Sequence, residues 1–266
     1  MINSIDYASS LASSQSRLST ALQALSTGKS INSAADNAAG LAQSTSYSVQ
    51  LSGIAQSMNN TQSGMSVLDT AGGAVNQINQ GLQDIRTLTV QAGNGTLNAS
   101  DLQAIQTQIG QITQGIDQIA SNTQFNGQNL LNGSASNLTL QTGANASQTQ
   151  NIQLGNLSSS ALGVSSLDVT TAAGQTAALS SLDNAIQQVS SQSANIGAAQ
   201  SSLSSTLSSQ GTTYNNLAAA KSQVSDTNYA QVTSNLTQAN VQQQASLHAL
   251  ALYNSTQNNI LTLLPK

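Results

Sequence analysis

Between residues 101 and 120, Leu102, Ile105, Ile109, Ile112, Ile116 and Ile119 recur at intervals of three and four. That spacing aligns side chains on one face of an α-helix. A shorter stripe of the same period runs through Leu11, Leu18, Leu22 and Leu25 and ends near Thr27 and Gly28. A longer one passes through Leu51, Ala55, Met58, Met65, Leu68, Val75, Ile78, Leu82, Ile85 and Leu88. It stops at AGNGTLNAS (92–100), whose Gly and Asn residues are turn formers. Ser100 with Gln103 fits a capping box for the helix that follows.

Residues 123–175 change period. LTLQTG (138–143) and NIQLGNL (151–157) alternate apolar and polar positions around the polar stretch 143–150, which predicts a β-hairpin with a loop. From about Leu179 the helical period returns. Val189, Ile196, Leu203, Gln210, Leu217 and Val224 are spaced by seven, with Ile186, Leu207 and Tyr214 beside them. This is a coiled-coil seam whose partner lies in this chain or another. After SDTN (225–228) a last stripe runs through Val232, Leu236, Ala239, Leu250, Tyr253, Ile260 and Leu264. The expected fold is mainly α: a long antiparallel bundle or coiled coil built from the N- and C-terminal regions, with a small β-hairpin region in the middle.

Composition sharpens the picture. The faces opposite the stripes are Gln, Thr, Ser, Asn and Gly rather than Lys and Glu, and only 5% of the 266 residues are charged. Acidic groups are nine Asp with no Glu, and the five cations Arg17, Lys29, Arg86, Lys221 and Lys266 never cluster, so nucleic acid finds no electrostatic footprint. A single Pro, Pro265, favours long uninterrupted helices. No apolar run is long enough to span a membrane, and MINSIDYASS lacks the layout of a cleaved secretory signal. Gly64, Gly72, Gly73, Gly81, Gly110 and Gly115 fall within expected helices, each at a cost of about 1 kcal/mol relative to Ala. Helices so weakened need several packing partners at once. Their uncharged second faces are expected to serve another subunit.

Chemistry is sparse. His248 stands without Cys or Glu to complete a metal site and is expected to be a packing or surface residue. None of G-x-S-x-G, G-x-x-x-x-G-K and H-E-x-x-H is present. Asp69 and Asp84 lie roughly 22 Å apart along one expected helix at 1.5 Å per residue, too far for an acid/base pair. No catalytic, metal or cofactor site is expected.

Four blocks carry a family resemblance: SSQSRLSTALQALSTGKSINSAADNAAGLA (13–42), GMSVLDTAGGAVNQINQGLQDIRTLTVQA (64–92), TQFNGQNLL (123–131) and YNNLAAAKSQVSDTNYAQVTSNLTQANVQQQASLHALALYNSTQNNILTLL (214–264). In this order they resemble bacterial flagellin. The interval 123–178 leaves no room for the variable outer domains of many members, so the likeness is to a minimal form. The segment before Ser13 is shorter than in common members.

That resemblance implies a structural subunit, not an enzyme, which self-assembles into the extracellular flagellar filament for swimming motility after type III export without signal cleavage. It implies inner-tube terminal helices at 1–30 and 228–266, poorly ordered until neighbours arrive, a helical outer-tube layer at 31–122 and 176–227, and a β-hairpin region at 123–175. Leu18, Leu22, Leu25, Leu236, Leu250, Ile260 and Leu264 are the expected inner-tube packing residues, and Ile109, Ile112, Ile116, Val189, Ile196 and Leu203 the expected helical core. Implied partners are further copies of the chain, other flagellins, an export chaperone, and cap and hook-junction proteins. Members detected by the animal Toll-like receptor for flagellin usually carry Arg at Asp84, Leu at Leu88 and Glu at Gln108. Only Leu88 is kept, so weak or no activation is expected. The hook–filament junction protein of the same wider family is the alternative.

Overall fold

The structure is a computed structural model that describes residues 4–135 and 137–263. The chain runs α1 (Ser4–Thr27), α2 (Ala34–Ala92), α3 (Ala99–Asn122), β1 (Gln124–Phe125), β2 (Gln128–Asn129), β3 (Asn137–Gln141), β4 (Thr149–Gln153), α4 (Ala172–Ser225) and α5 (Tyr229–Leu263). It is mainly helical with a small hairpin region, as the periodicity predicts. Two compact units divide it: residues 1–51 with 215–266, and residues 52–214.

In the second unit α2 and α4 are antiparallel. As α2 ascends through Ser57, Asp69 and Arg86, its partners descend α4 through Gln210, Gln200 and Asp183. Leu68, Val75, Ile78, Leu82 and Ile85 of α2 are fully buried and join Ile105, Ile109, Ile116 and Ala120 of α3 and Leu182, Val189, Ile196 and Leu203 of α4 in one core. Ile112 is half-buried against it. The seven-residue seam of α4 is buried as far as Gln210, and beyond it Leu217 and Val224 are only half-buried.

Helix ends follow their caps. The capping box of α3 is Asn98 with Asp101, not Ser100 with Gln103. Asn98 is extended (φ −87°, ψ 170°); its Oδ1 accepts from the Asp101 N–H at 3.0 Å, and Asp101 returns the bond by accepting the Asn98 N–H at 3.1 Å. Ser100 already lies inside the helix, so its hydroxyl cannot serve the first orphan amides. Within α2 the backbone leaves the helical range at Asn37, whose Oδ1 accepts from Gly40 N at 2.9 Å and so starts the long helix afresh. Helix α4 begins at Ala172, ahead of the first clear apolar repeat at Leu179.

Strands β3 and β4 pair antiparallel, with Leu138 opposite Ile152 and Leu140 opposite Gln150. The alternation at Leu154 and Leu157 continues past the end of β4, where the chain is no longer a strand. A second, two-residue hairpin joins β1 to β2 through Asn126 (φ 50°) and Gly127 (φ 79°), the doubly positive pair that a tight hairpin turn demands.

The hairpin region contributes Leu130, Leu131, Ile152, Leu154 and Leu157 to the core, but its irregular backbone needs hydrogen-bond partners. Helix side-chain amides supply them. Gln106 donates to Leu167 O at 2.7 Å and accepts from Val169 N at 2.9 Å. Gln192 accepts from Gly155 N and donates to Gln153 O, both at 3.1 Å. Gln175 donates to Val169 O and Ala92 O, Asn60 to Gln141 O, and Gln210 to Ser57 Oγ and Thr142 O. Asp117 accepts both the N–H and the hydroxyl of Ser159, at 2.8 and 2.7 Å. Part of the uncharged α3 face therefore works inside the chain. Its other amides, Gln103, Gln108, Gln111, Gln114 and Gln118, are exposed.

Two helix glycines differ in their surroundings. A Cβ on Gly53 would sit 2.8 Å from Ala144 Cβ and 3.3 Å from its Cα, in the hairpin loop, whereas a Cβ on Gly73 would meet nothing within 4 Å. Gly53→Val should destabilise the second unit by about 1–3 kcal/mol, and Gly73→Ala should stabilise it by up to about 1 kcal/mol. Urea denaturation of the two variants against the parent chain checks both signs.

Candidate functional site

The first unit pairs the two ends of the chain. Ser10 meets Ser246 (Oγ to Oγ 3.3 Å), Arg17 donates to Gln242 at 3.4 Å and the Tyr229 hydroxyl donates to Leu25 O at 2.9 Å, so α5 runs antiparallel to α1. The residues buried between them are small: Ser14, Ala21 and Ala24 from α1, Ala239 and Ser246 from α5. Spacings of seven and three on α1, and of seven on α5, place them along one seam. That seam therefore places little side-chain volume between the two helices.

Large apolar side chains lie beside the seam instead. Leu18, Leu25, Leu236 and Leu250 are half-buried, and Leu22 is 51% exposed. Ile260 falls within α5, but its side chain and the whole of Leu264 lie outside the described residues. Val241, Leu247 and Leu252 are further exposed apolar groups of α5, at 61%, 48% and 69%. At roughly 100° per residue, Leu11, Leu18, Leu22 and Leu25 project on one flank of the α1 seam, and Ser16, Arg17 and Thr20 on the other. Leu236 and Leu247 share the leucine flank. On the opposite flank a cleft of about 510 Å³ opens between the helices over Ala21, Ala24 and Ala239. The helix pair is thus a ribbon with a leucine side and a grooved side.

Its electrostatics are nearly blank. The 35 residues of α5 include no Asp, Glu, Lys or Arg, although most of their side chains are exposed. The charged residues of α1 are Asp6 and Arg17. A long exposed helix normally carries a charged outer face. Here polar amides and hydroxyls take that place, and these can be covered by another chain at a far smaller desolvation cost than an ion.

Both linkers of this unit are tied together by backbone. Lys29 forms a β-bridge with Asp226, Ser30 N donates to Ser225 O at 2.8 Å and Thr227 N to Gly28 O at 3.0 Å. Gly28, at φ +70°, supplies the left-handed turn that ends α1. Asp36 braces the same linker, accepting from Asn32 N at 2.9 Å and Ser33 N at 2.8 Å.

The remaining expected positions are scattered. Asp84 and Gln108 are exposed on α2 and α3, and Leu88 is partly buried against the core. His248 is exposed on α5. Among the described residues no group of three His, Cys, Asp or Glu side chains could hold a metal, and no helix is long and apolar enough to cross a membrane. Of the small-residue seam, sequence showed only Ala239, in the last apolar stripe, because Ala and Ser carry no contrast in so Ala- and Ser-rich a chain; the seven-residue intervals Ser14 to Ala21 and Ala239 to Ser246 were its traces.

A helical body whose two chain ends pair with each other, with short hairpins in its middle segment, recurs in solved flagellar proteins. Among solved structures, Bacillus cereus flagellin superposes with a TM-score of 0.52 at 29% identity, covering 57% of this chain and 88% of that one. A Vibrio parahaemolyticus protein described as a flagellar hook-associated protein shares the fold at a TM-score of 0.61 and 13% identity, covering 72% of this chain and 100% of that one. The bacterial flagellin N-terminal helical region matches residues 1–136 and the bacterial flagellin C-terminal helical region matches residues 179–264, so the chain belongs to the bacterial flagellin family. Flagellin of Serratia marcescens is 44% identical over 158 residues, 59% of this chain and 45% of that protein. Flagellin of Xenorhabdus nematophila is 40% identical over 173 residues, 64% of this chain and 55% of that protein. The matched segments thus span about half the length of these curated relatives.

The Asp36 carboxyl is held below its ordinary value by the backbone N–H groups of Asn32 and Ser33, assisted by the Ser33 hydroxyl. A depressed folded-state value means that its brace is fully present above the ordinary carboxylate pKa of about 3.9 and is lost only as pH falls through the lower folded value. On acidification the Asn32 and Ser33 amide NMR shifts should move with a midpoint below the ordinary carboxylate value. In Asp36→Asn this late movement should vanish.

Proposed function

We propose that this chain is a subunit of the extracellular bacterial flagellar filament and that it polymerises by burying the α1–α5 ribbon against further copies of itself. The observation that carries this reading is the charge-free, largely exposed α5 lying beside a leucine flank that the intrachain Ala and Ser seam leaves uncovered. Leu18, Leu22, Leu25, Leu236, Leu250, Ile260 and Leu264 are the proposed inner-tube contacts. Ile109, Ile112, Ile116, Val189, Ile196 and Leu203 hold the body of each subunit, and the ends 1–30 and 228–266 become fully ordered as neighbours cover them. In this proposal the residues 31–122 and 176–227 form the surrounding helical layer and 123–175 its hairpin region. An export chaperone, a cap and hook-junction proteins are the partners on the way out.

Negative-stain electron microscopy and sedimentation of the purified chain, with short filament seeds or after salting-out, test the proposal. The intact chain should form long tubular filaments, and a copy lacking 1–30 and 228–266 should remain monomeric. Persistent monomers of the intact chain would favour the hook–filament junction role instead. Leu250→Asp should abolish filaments while the second unit stays folded by circular dichroism, because a carboxylate buried at that contact costs several kcal/mol per subunit.

At the receptor-facing positions, Asp84 puts a negative charge where receptor-active members have a positive one, and Gln108 lacks the usual carboxylate. In reporter cells bearing the Toll-like receptor for flagellin, the chain should be far less potent than an enteric flagellin. Equal potency would remove this part of the proposal.

A further inference from the structure

We propose that the Asn94-Gly95 pair, in the loop joining α2 to α3, is a site of spontaneous covalent modification: in the folded chain it converts to an aspartyl or isoaspartyl link ahead of the chain's other Asn-Gly pairs. Asn is among the thermally labile residues, and the sequence places it before Gly three times, at Asn94, Asn126 and Asn132. The Gly95 backbone nitrogen, losing its proton to solvent base, attacks Asn94 Cγ. The new C–N bond closes a five-membered succinimide while the Cγ–Nδ2 bond breaks and ammonia leaves. Water then opens either ring carbonyl, giving Asp or isoaspartate, so that one amide and one water become one carboxylate and one ammonium.

The fold separates the three pairs. Asn94 and Gly95 are both exposed, and nothing lies within 4 Å of the position a Gly95 Cβ would occupy. Among the described residues no hydrogen bond engages the Gly95 N–H. The Thr96 N–H donates to Asn94 Oδ1 at 3.3 Å, where negative charge gathers as the ring closes, so a donor already stands at the developing oxyanion. Closure works against two turn bonds, Asn94 N to Gln91 O and Leu97 N to Asn94 O, both at 3.1 Å, the second from a half-buried Leu97.

Asn132 has a similar donor, Ser134 N at 3.0 Å, but it is half-buried. Its Gly133 sits at φ +89° against Asn156, 3.2 Å from the position of a Cβ, while Leu157 N to Leu131 O pins the adjoining backbone. Asn126 is exposed but forms the two-residue turn between β1 and β2, with both φ angles positive and Phe125 paired to Gln128. Swinging its backbone toward Cγ breaks that hairpin. Modification at Asn94 takes the net charge of −4 one unit further negative, and the isoaspartyl product inserts one extra backbone carbon between α2 and α3. It is a property of the folded chain and needs no filament.

The test incubates the full chain in mildly alkaline buffer, natively and in concentrated urea. Each Asn-Gly peptide is followed by mass spectrometry, and isoaspartate is read by enzymatic methyl transfer from S-adenosylmethionine. In the folded chain Asn94 should convert several-fold faster than Asn126 and Asn132, and in urea the three rates should converge. Gly95→Ala, which adds the missing Cβ beside the attacking nitrogen, should slow conversion of the folded chain roughly tenfold. Folded-state rates at Asn126 or Asn132 equal to that at Asn94, or a Gly95→Ala rate unchanged from the parent, would overturn the proposal.

Discussion

Everything at the ends of this chain depends on the close approach of α1 and α5 over Ala21, Ala24 and Ala239, with Ser14 and Ser246 beside them. Side chains this small put little volume between the two helices along the seam. Leucines in the same seam would have filled it and consumed the apolar surface within the chain. On one flank Leu18, Leu25 and Leu236 stay half-buried and Leu22 is exposed, and the other flank retains a cleft. Within this unit, a ridge on one flank and a groove on the other suit a head-to-tail contact, which gives rings or open filaments according to whether the rotation closes. The proposed filament role uses the apolar surface that this small-residue seam does not fill.

The second unit solves a different problem with the same uncharged chemistry. Its middle segment is mostly irregular and cannot satisfy its own backbone by strand pairing beyond the short β1–β2 and β3–β4 pairs. Gln106, Gln175, Gln192 and Gln210 each present an amide that reaches a carbonyl, and Gln106 and Gln192 accept an N–H as well. Glu in these places could accept but not donate, and it would bring a charge into half-buried surroundings. The scarcity of ions is thus useful on both sides of the molecule: inside it lets helices grip loop backbone, and outside it leaves surfaces that another chain can cover.

Most of the helices and the larger hairpin could be read from periodicity, whereas the β1–β2 hairpin and the start of α4 at Ala172 could not. A run of apolar residues at three and four has one stable outcome, so α3, the buried stripe of α2 and the repeat from Val189 to Leu203 were legible without coordinates. The alternation of β3 and β4 was equally plain, and the four blocks shared with flagellins carried the family likeness. The tertiary structure alone decided which polar residues work inside the chain and which remain outside. Gln106 and Gln108 are indistinguishable in composition and two positions apart, yet one holds Leu167 and Val169 while the other faces solvent. It also moved the α3 cap from Ser100 to Asn98, because capping needs an extended residue just ahead of the first turn. Finally, it assigned the terminal seam to Ala and Ser rather than Leu. Hydropathy ranks residues by their aversion to water, whereas a close helix crossing selects by size, and that choice appears only when both helices are in place.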